Sequence, residues 1–191
     1  THAGLGVLAL ATFWLAGLSR KGSPVHRAAG KIYLPAMAGL LLAAVPLAVA
    51  VLQRMPVAGS FLGYLLVLTV TSVWCSWRAV KDKKDWARYT GPVFRVLTWA
   101  NLASALAIAG VGLFMAKQMQ LVIVSFAGIG LFSFVQMWRF SRQRPEDPRW
   151  WLREHLNAML GNGVATHIAF LSIGLPKVLP MLAGATLMNL A

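Results

Sequence analysis

An all-α integral membrane fold, one domain over residues 1–191 built as a bundle of six or seven transmembrane helices with the N-terminus outside, is what this sequence predicts. Three observations predict it. The chain is 58% hydrophobic and only 12% charged, far too apolar for a water-soluble protein of this length. Its charges come in clusters, separated by apolar runs long enough to cross a hydrocarbon core about 30 Å thick at about 1.5 Å per residue. Those clusters fall almost entirely on one side of the predicted bundle.

Seven runs meet or approach the length of a span. They are Ala3 to Leu18, Ile32 to Leu52, Val57 to Trp77, Val93 to Met115, Leu121 to Trp138, Trp150 to Ile173, and Val178 to Ala191. The last is short and has Pro180 near its start, so it reads as a truncated span or a half-helix in the interface. No signal-peptide pattern precedes the first run, and the chain opens on Thr1 rather than methionine, which leaves room for residues upstream.

Arg20, Lys21, Arg27 and Lys31 follow the first run, and Arg78, Lys81, Lys83, Lys84, Arg88 and Arg95 surround the third connection. Arg139, Arg142, Arg144, Arg149 and Arg153 surround the fifth, while the opposite side has only Arg54, Lys117 and Lys177. A 15-to-3 division of the 18 basic residues makes the crowded side cytoplasmic and puts Thr1 outside. All five acids (Asp82, Asp85, Glu146, Asp147, Glu154) lie among those cytoplasmic cations. Trp77, Trp86, Trp99, Trp138, Trp150 and Trp151 sit near the same boundary and read as an interfacial belt.

A net charge of +13 would raise nucleic acid as a partner in a soluble chain. Here the cations fringe apolar runs, which excludes nucleic acid and points to anionic lipids at the cytoplasmic face of a bacterial inner membrane. The single cysteine, Cys75, supports neither a disulfide framework nor a thiolate metal cluster. P-loop, dinucleotide-binding and nucleophile-elbow patterns are absent, which argues against hydrolase or kinase chemistry.

Ionisable groups at membrane depth are functional candidates, and here they reduce mainly to four histidines, His2, His26, His155 and His167. His2 is 17 residues from Ser19 and His167 is 17 from Trp150, so both lie roughly 25 Å from the cytoplasmic face. His155 is only five residues past Trp150, and His26 lies just inside a helix start marked by Ser23 as N-cap and Pro24 at the first helical position. Two level pairs result: His2 with His167 outside, and His26 with His155 inside, about 18 Å apart along the normal. Paired imidazoles from different helices, one pair near each leaflet, are the layout of a two-haem membrane cytochrome, with the four histidines binding haem iron. Gly6 and Gly163 beside the outer pair are expected to make room for a macrocycle. Simpler roles are hydrogen bonding for His155, phosphate contact for His26 and solvation for His2. His155, Asn162 and Thr166 share one face of the sixth run, pointing to interhelical hydrogen bonding or to a quinone or proton path, which Asn101 and Gln136 could join.

His2-Ala-Gly, an apolar span, and then Ser-Arg-Lys-Gly-Ser-Pro-Val-His-Arg-Ala-Ala-Gly-Lys resemble a group of uncharacterised bacterial multi-span membrane proteins, relatives of the family catalogued as domain of unknown function 2306. The matching positions are Lys21, Gly22, His26, Arg27 and Gly30, with Arg153 and His155 later in the chain. The likeness is clearest over residues 1–50 and weaker over 150–170. It implies a multi-span topology and little about activity.

These observations lead to a b-type dihaem cytochrome that moves electrons across the membrane or to quinone. The alternatives are a non-catalytic subunit packing against a larger membrane complex through its Gly/Ala-rich faces, and a small transporter or channel.

Overall fold

The computed structural model describes residues 2–116 and 120–171, and among these every regular element is helical. α1 spans His2–Leu18, α2 Pro24–Arg54, α3 Pro56–Lys81, α4 Trp86–Tyr89, α5 Pro92–Phe114, α6 Gln120–Arg142 and α7 Trp150–Ala169. Four of them, α2, α3, α5 and α6, are long and apolar enough to cross a bilayer, and the chain is a multi-pass membrane protein. At 17 residues α1 is apolar but shorter. The 20 residues of α7 include Arg153, Glu154, His155, Asn157 and Asn162, which dilute its apolar character. Four helices of the expected six or seven therefore satisfy length and composition together among the described residues, with α1 and α7 packed beside them. The run Val178 to Ala191 lies outside the described residues.

Proline at the first helical position opens α2, α3 and α5, where its missing N–H is no loss and its fixed φ suits the helix. At α2 the Ser23 hydroxyl also accepts the His26 backbone N–H at 3.2 Å, the N-cap expected from sequence. This start lies eight residues ahead of the apolar run at Ile32. The resulting 31-residue helix is about 46 Å long, longer than the hydrocarbon core, and its first turns project toward the basic end.

Only Met55 separates α2 from α3. The two helices meet so closely that a Cβ on Gly59 would overlap the backbone of Leu52, which has no side-chain freedom with which to yield. Gly59→Ala is therefore expected to cost roughly 3 kcal/mol, read as a lower melting temperature of the detergent-solubilised chain; an unchanged melt would contradict this contact.

α1 packs on α2 and on α7, and α3 packs on the same two. These four helices close a ring in which α2 and α7 face each other across the diagonal. Ala9, Tyr33, Ala36, Met37 and Val73 fill its interior, with Phe13 and Met159 against them. The α5–α6 hairpin docks on α3 through Tyr64, Ala105, Ile108, Ile123 and Ala127. There the Tyr64 hydroxyl donates to the Phe126 carbonyl at 2.6 Å and accepts the Gly130 N–H at 2.9 Å. Each bond satisfies a polar group that lipid cannot.

Cys75, Ala79, Tyr89, Phe94, Met137 and Trp150 form a third core at the basic end. Trp150 is thus a core residue, 7% exposed, and not the interfacial anchor expected from its position at a helix start. Tyr89 of the unexpected α4 folds over it, with ring centroids 5.1 Å apart. Trp77, Trp99 and Trp138 remain outward-facing, and Lys81 and Arg142 lie over Trp77 and Trp138 at 4.9 and 5.0 Å.

Candidate functional site

Of the four histidines, His26 and His155 meet. Their ring centroids are 6.5 Å apart and their planes cross at 78°. They start from opposite corners of the four-helix ring, one turn inside α2 and α7, and each is steered by the helix beside it. His26 Nδ1 lies 3.0 Å from the carbonyl oxygen of Ala16, in the last turn of α1, where helical carbonyls have no donor of their own. The same oxygen receives Lys21 Nζ at 3.3 Å. His155 Nδ1 lies 2.9 Å from the Ser76 carbonyl of α3. A carbonyl can only accept, so each Nδ1 carries the proton and donates. That fixes the tautomer in the neutral rings and leaves both Nε2 atoms as lone-pair donors.

This arrangement suits a shared metal. A ligating imidazole commonly donates its other N–H to a carbonyl, which orients the ring and strengthens it as a base. Two imidazoles opposed across one ion at about 2.0–2.1 Å have ring centres about 6.4 Å apart, close to the separation found here. Among the described residues no group of three or more His, Cys, Asp or Glu converges on one point. An ion held by side chains alone would have two protein donors, whereas a macrocycle brings four of its own. The donor set therefore fits haem better than a bare ion.

The outer histidines are arranged differently, and their expected pairing needs correction. His167 Nε2 accepts the indole N–H of Trp14 at 2.8 Å, and its Nδ1 donates to the Gly163 carbonyl at 2.6 Å. Both ring nitrogens are thus occupied. His2 is exposed and lies twelve residues, about 18 Å, further along α1 than Trp14. Equal residue counts from the basic end do not bring His2 and His167 together, because His167 meets Trp14 instead. The room expected at Gly163 is filled, since a Cβ there would overlap the Phe13 ring, whereas a Cβ on Gly6 would meet Leu40 only at ordinary contact distance.

Below the inner pair, the loops of the basic end are tied to the bundle by buried charge. Asp82, 3% exposed, caps the end of α3 and takes Arg78 at 2.5 Å and Arg88 at 3.5 Å. The Arg78 guanidinium also lies 5.8 Å above Trp74 and 5.6 Å above Trp77. Tyr89 donates to Glu154, the neighbour of His155, at 3.1 Å, and burial first, with the nearby thiol and carboxyl, pushes its phenol pKa upward, so it stays a donor. Ahead of α7, the Arg153 guanidinium bonded to Asp147, and next the Arg149 N–H, hold that half-exposed carboxyl below its ordinary range.

The polar stripe of α7 faces inward in part. Asn162 is fully buried, and Thr166 donates to its carbonyl at 2.7 Å. Asn101 donates to Thr71 at 2.9 Å, an interhelical bond between α5 and α3, while Gln136 is exposed and joins neither. Tyr33, Trp14 and Asp82 were not singled out by the sequence. For Tyr33 the signal was present: it stands seven residues after His26, as Asn162 does after His155. Comparison with protein-family models, curated proteins and solved structures yields no match to this chain.

Proposed function

We propose that this chain is a b-type cytochrome of a bacterial inner membrane that holds one haem between His26 and His155 and exchanges electrons at the cytoplasmic leaflet with quinone or a neighbouring membrane subunit. The observation that carries the reading is the inner pair itself: two rings 6.5 Å apart, each with Nδ1 committed to a carbonyl and Nε2 turned to no protein partner among the described residues. Bound there, haem would supply one-electron redox chemistry at iron. His26 and His155 would hold the group through Nε2, and the Ala16 and Ser76 carbonyls hold both rings in the tautomer that leaves Nε2 free.

One pair instead of two alters the dihaem expectation. The reading takes one haem because the inner pair is the one in which two histidine rings come together among the described residues, and it places electron exchange on that side. The basic end is assigned to the cytoplasm by the positive-inside rule, and its Lys and Arg residues meet anionic lipid there. We also keep the proposed kinship with the family of unknown function, since the residues that carry it, Lys21, Gly22, His26, Arg27 and Gly30, surround one of the two donors.

The test is a reduced-minus-oxidised absorbance spectrum of the full chain purified in mild detergent, with and without added haemin. A low-spin, six-coordinate b-type spectrum is the expected result. Failure to bind haemin under either condition would leave the pair as a hydrogen-bonded clamp and favour the non-catalytic subunit.

A further inference from the structure

α2 and α7 both run away from the basic end, and beyond the His26–His155 pair each buries a second polar side chain. Tyr33 and Asn162 each stand seven residues, two helical turns, past the histidine of their helix, hence on nearly the same face and roughly 10 Å deeper. Tyr33 is 4% exposed and Asn162 is 0% exposed. They share walls: the Phe13 ring is 6.2 Å from that of Tyr33 and also lies against Gly163, next to Asn162, while Met159 of α7 packs on the cluster that contains Tyr33. Among the described residues the Tyr33 hydroxyl and both amide atoms of Asn162 have no hydrogen-bond partner in the protein.

Such groups do not stay unsatisfied in a bilayer protein. An amide or hydroxyl without a partner in an apolar interior costs several kcal/mol at the upper end of measured transfers, and lipid offers no remedy. What satisfies these groups must both donate and accept. It must also lie inside a packed ring lined by Ala9, Ala36 and Met37, each no more than 3% exposed. A small hydrogen-bonding molecule meets both conditions and a ring-sized one does not. We propose that Tyr33 and Asn162 together bind internal water between α2 and α7, forming a second polar rung deeper in the bundle than the two histidines. The inference is independent of haem at the first rung.

A double-mutant cycle tests it on the full detergent-solubilised chain. Tyr33→Phe and Asn162→Leu are each expected to lower the melting temperature by roughly 3–9 °C, the effect of losing one buried hydrogen-bonding group in a chain this long. The double variant should lose clearly less than the two shifts combined, because both break the same bridge. A rise or no change for Asn162→Leu, or strictly additive losses, would overturn the proposal. Infrared spectra in ordinary and heavy-oxygen water provide a second readout on the unaltered protein. An isotope-shifted hydroxyl band from strongly bound water, reduced in Tyr33→Phe, is expected, and its absence from the unaltered protein would overturn the proposal. Retention of an organic molecule at this position, seen by native mass spectrometry and lost in both variants, would overturn it too.

Discussion

His26→Ala and His155→Ala are each expected to abolish the b-type spectrum, whereas His2→Ala and His167→Ala leave it intact. On the proposed reading, removing either imidazole would forfeit half of the protein's donor set. Disturbing only the partners behind a metal ligand already costs about 10–100-fold in affinity, so loss of the ligand itself should exceed roughly 100-fold. The two outer variants make the experiment discriminating: His167 is engaged by Trp14 and Gly163, and His2 lies exposed at the start of α1. Structural damage is separated from ligand loss by His155→Gly, whose spectrum should return on adding free imidazole. Loss of the spectrum in His167→Ala, with helicity retained, would instead restore an outer site.

Asp82→Ala is expected to cost about 3 kcal/mol, the lower end of the range for removing one partner of a buried ion pair. Its side chain is 1% exposed, while Arg78 is 17% exposed, so part of the stranded guanidinium charge can be rehydrated. The lower end is also favoured because Asp82 Oδ2, though within ion-pair distance of Arg78, has no well-aligned hydrogen bond. Through Asp82 the end of α3 is joined to Arg88 of α4, and α4 supplies the Tyr89 that covers Trp150 and holds Glu154. The melting temperature should fall by roughly 6–12 °C, with increased protease sensitivity between residues 82 and 91. An unchanged melt would mean that this acid does not hold the loop.

The sequence displayed much of this architecture because the bilayer constrains so strongly. Long apolar runs gave the positions of α2, α3, α5 and α6, and Ser23 with Pro24 marked the start of α2 ahead of its apolar run. The inner histidines were legible as level neighbours because each lies within a turn or two of a helix start at the same end, where counting errors are small. Over seventeen residues the same counting failed for His2 and His167. It assumes straight helices in register and ignores long side chains, and Trp14 captures His167 well short of His2. Trp150 looked like a boundary residue because nothing local reveals that Tyr89, more than sixty positions earlier, folds over it. Asp82 was hidden in the same way, as one acid among lysines whose burial depends on α4. The backbone carbonyls of Ala16 and Ser76, which set the chemistry of the inner pair, leave no mark in side-chain identity.

The most direct measurement of the central claim is the ratio of haem to polypeptide in the purified, haemin-saturated full chain, from a haemochrome assay set against amino-acid analysis. Joint coordination by His26 and His155 predicts one haem per chain, bis-histidine ligated. A ratio of two would show that the outer histidines also bind haem, and a ratio of zero would remove haem from the account altogether.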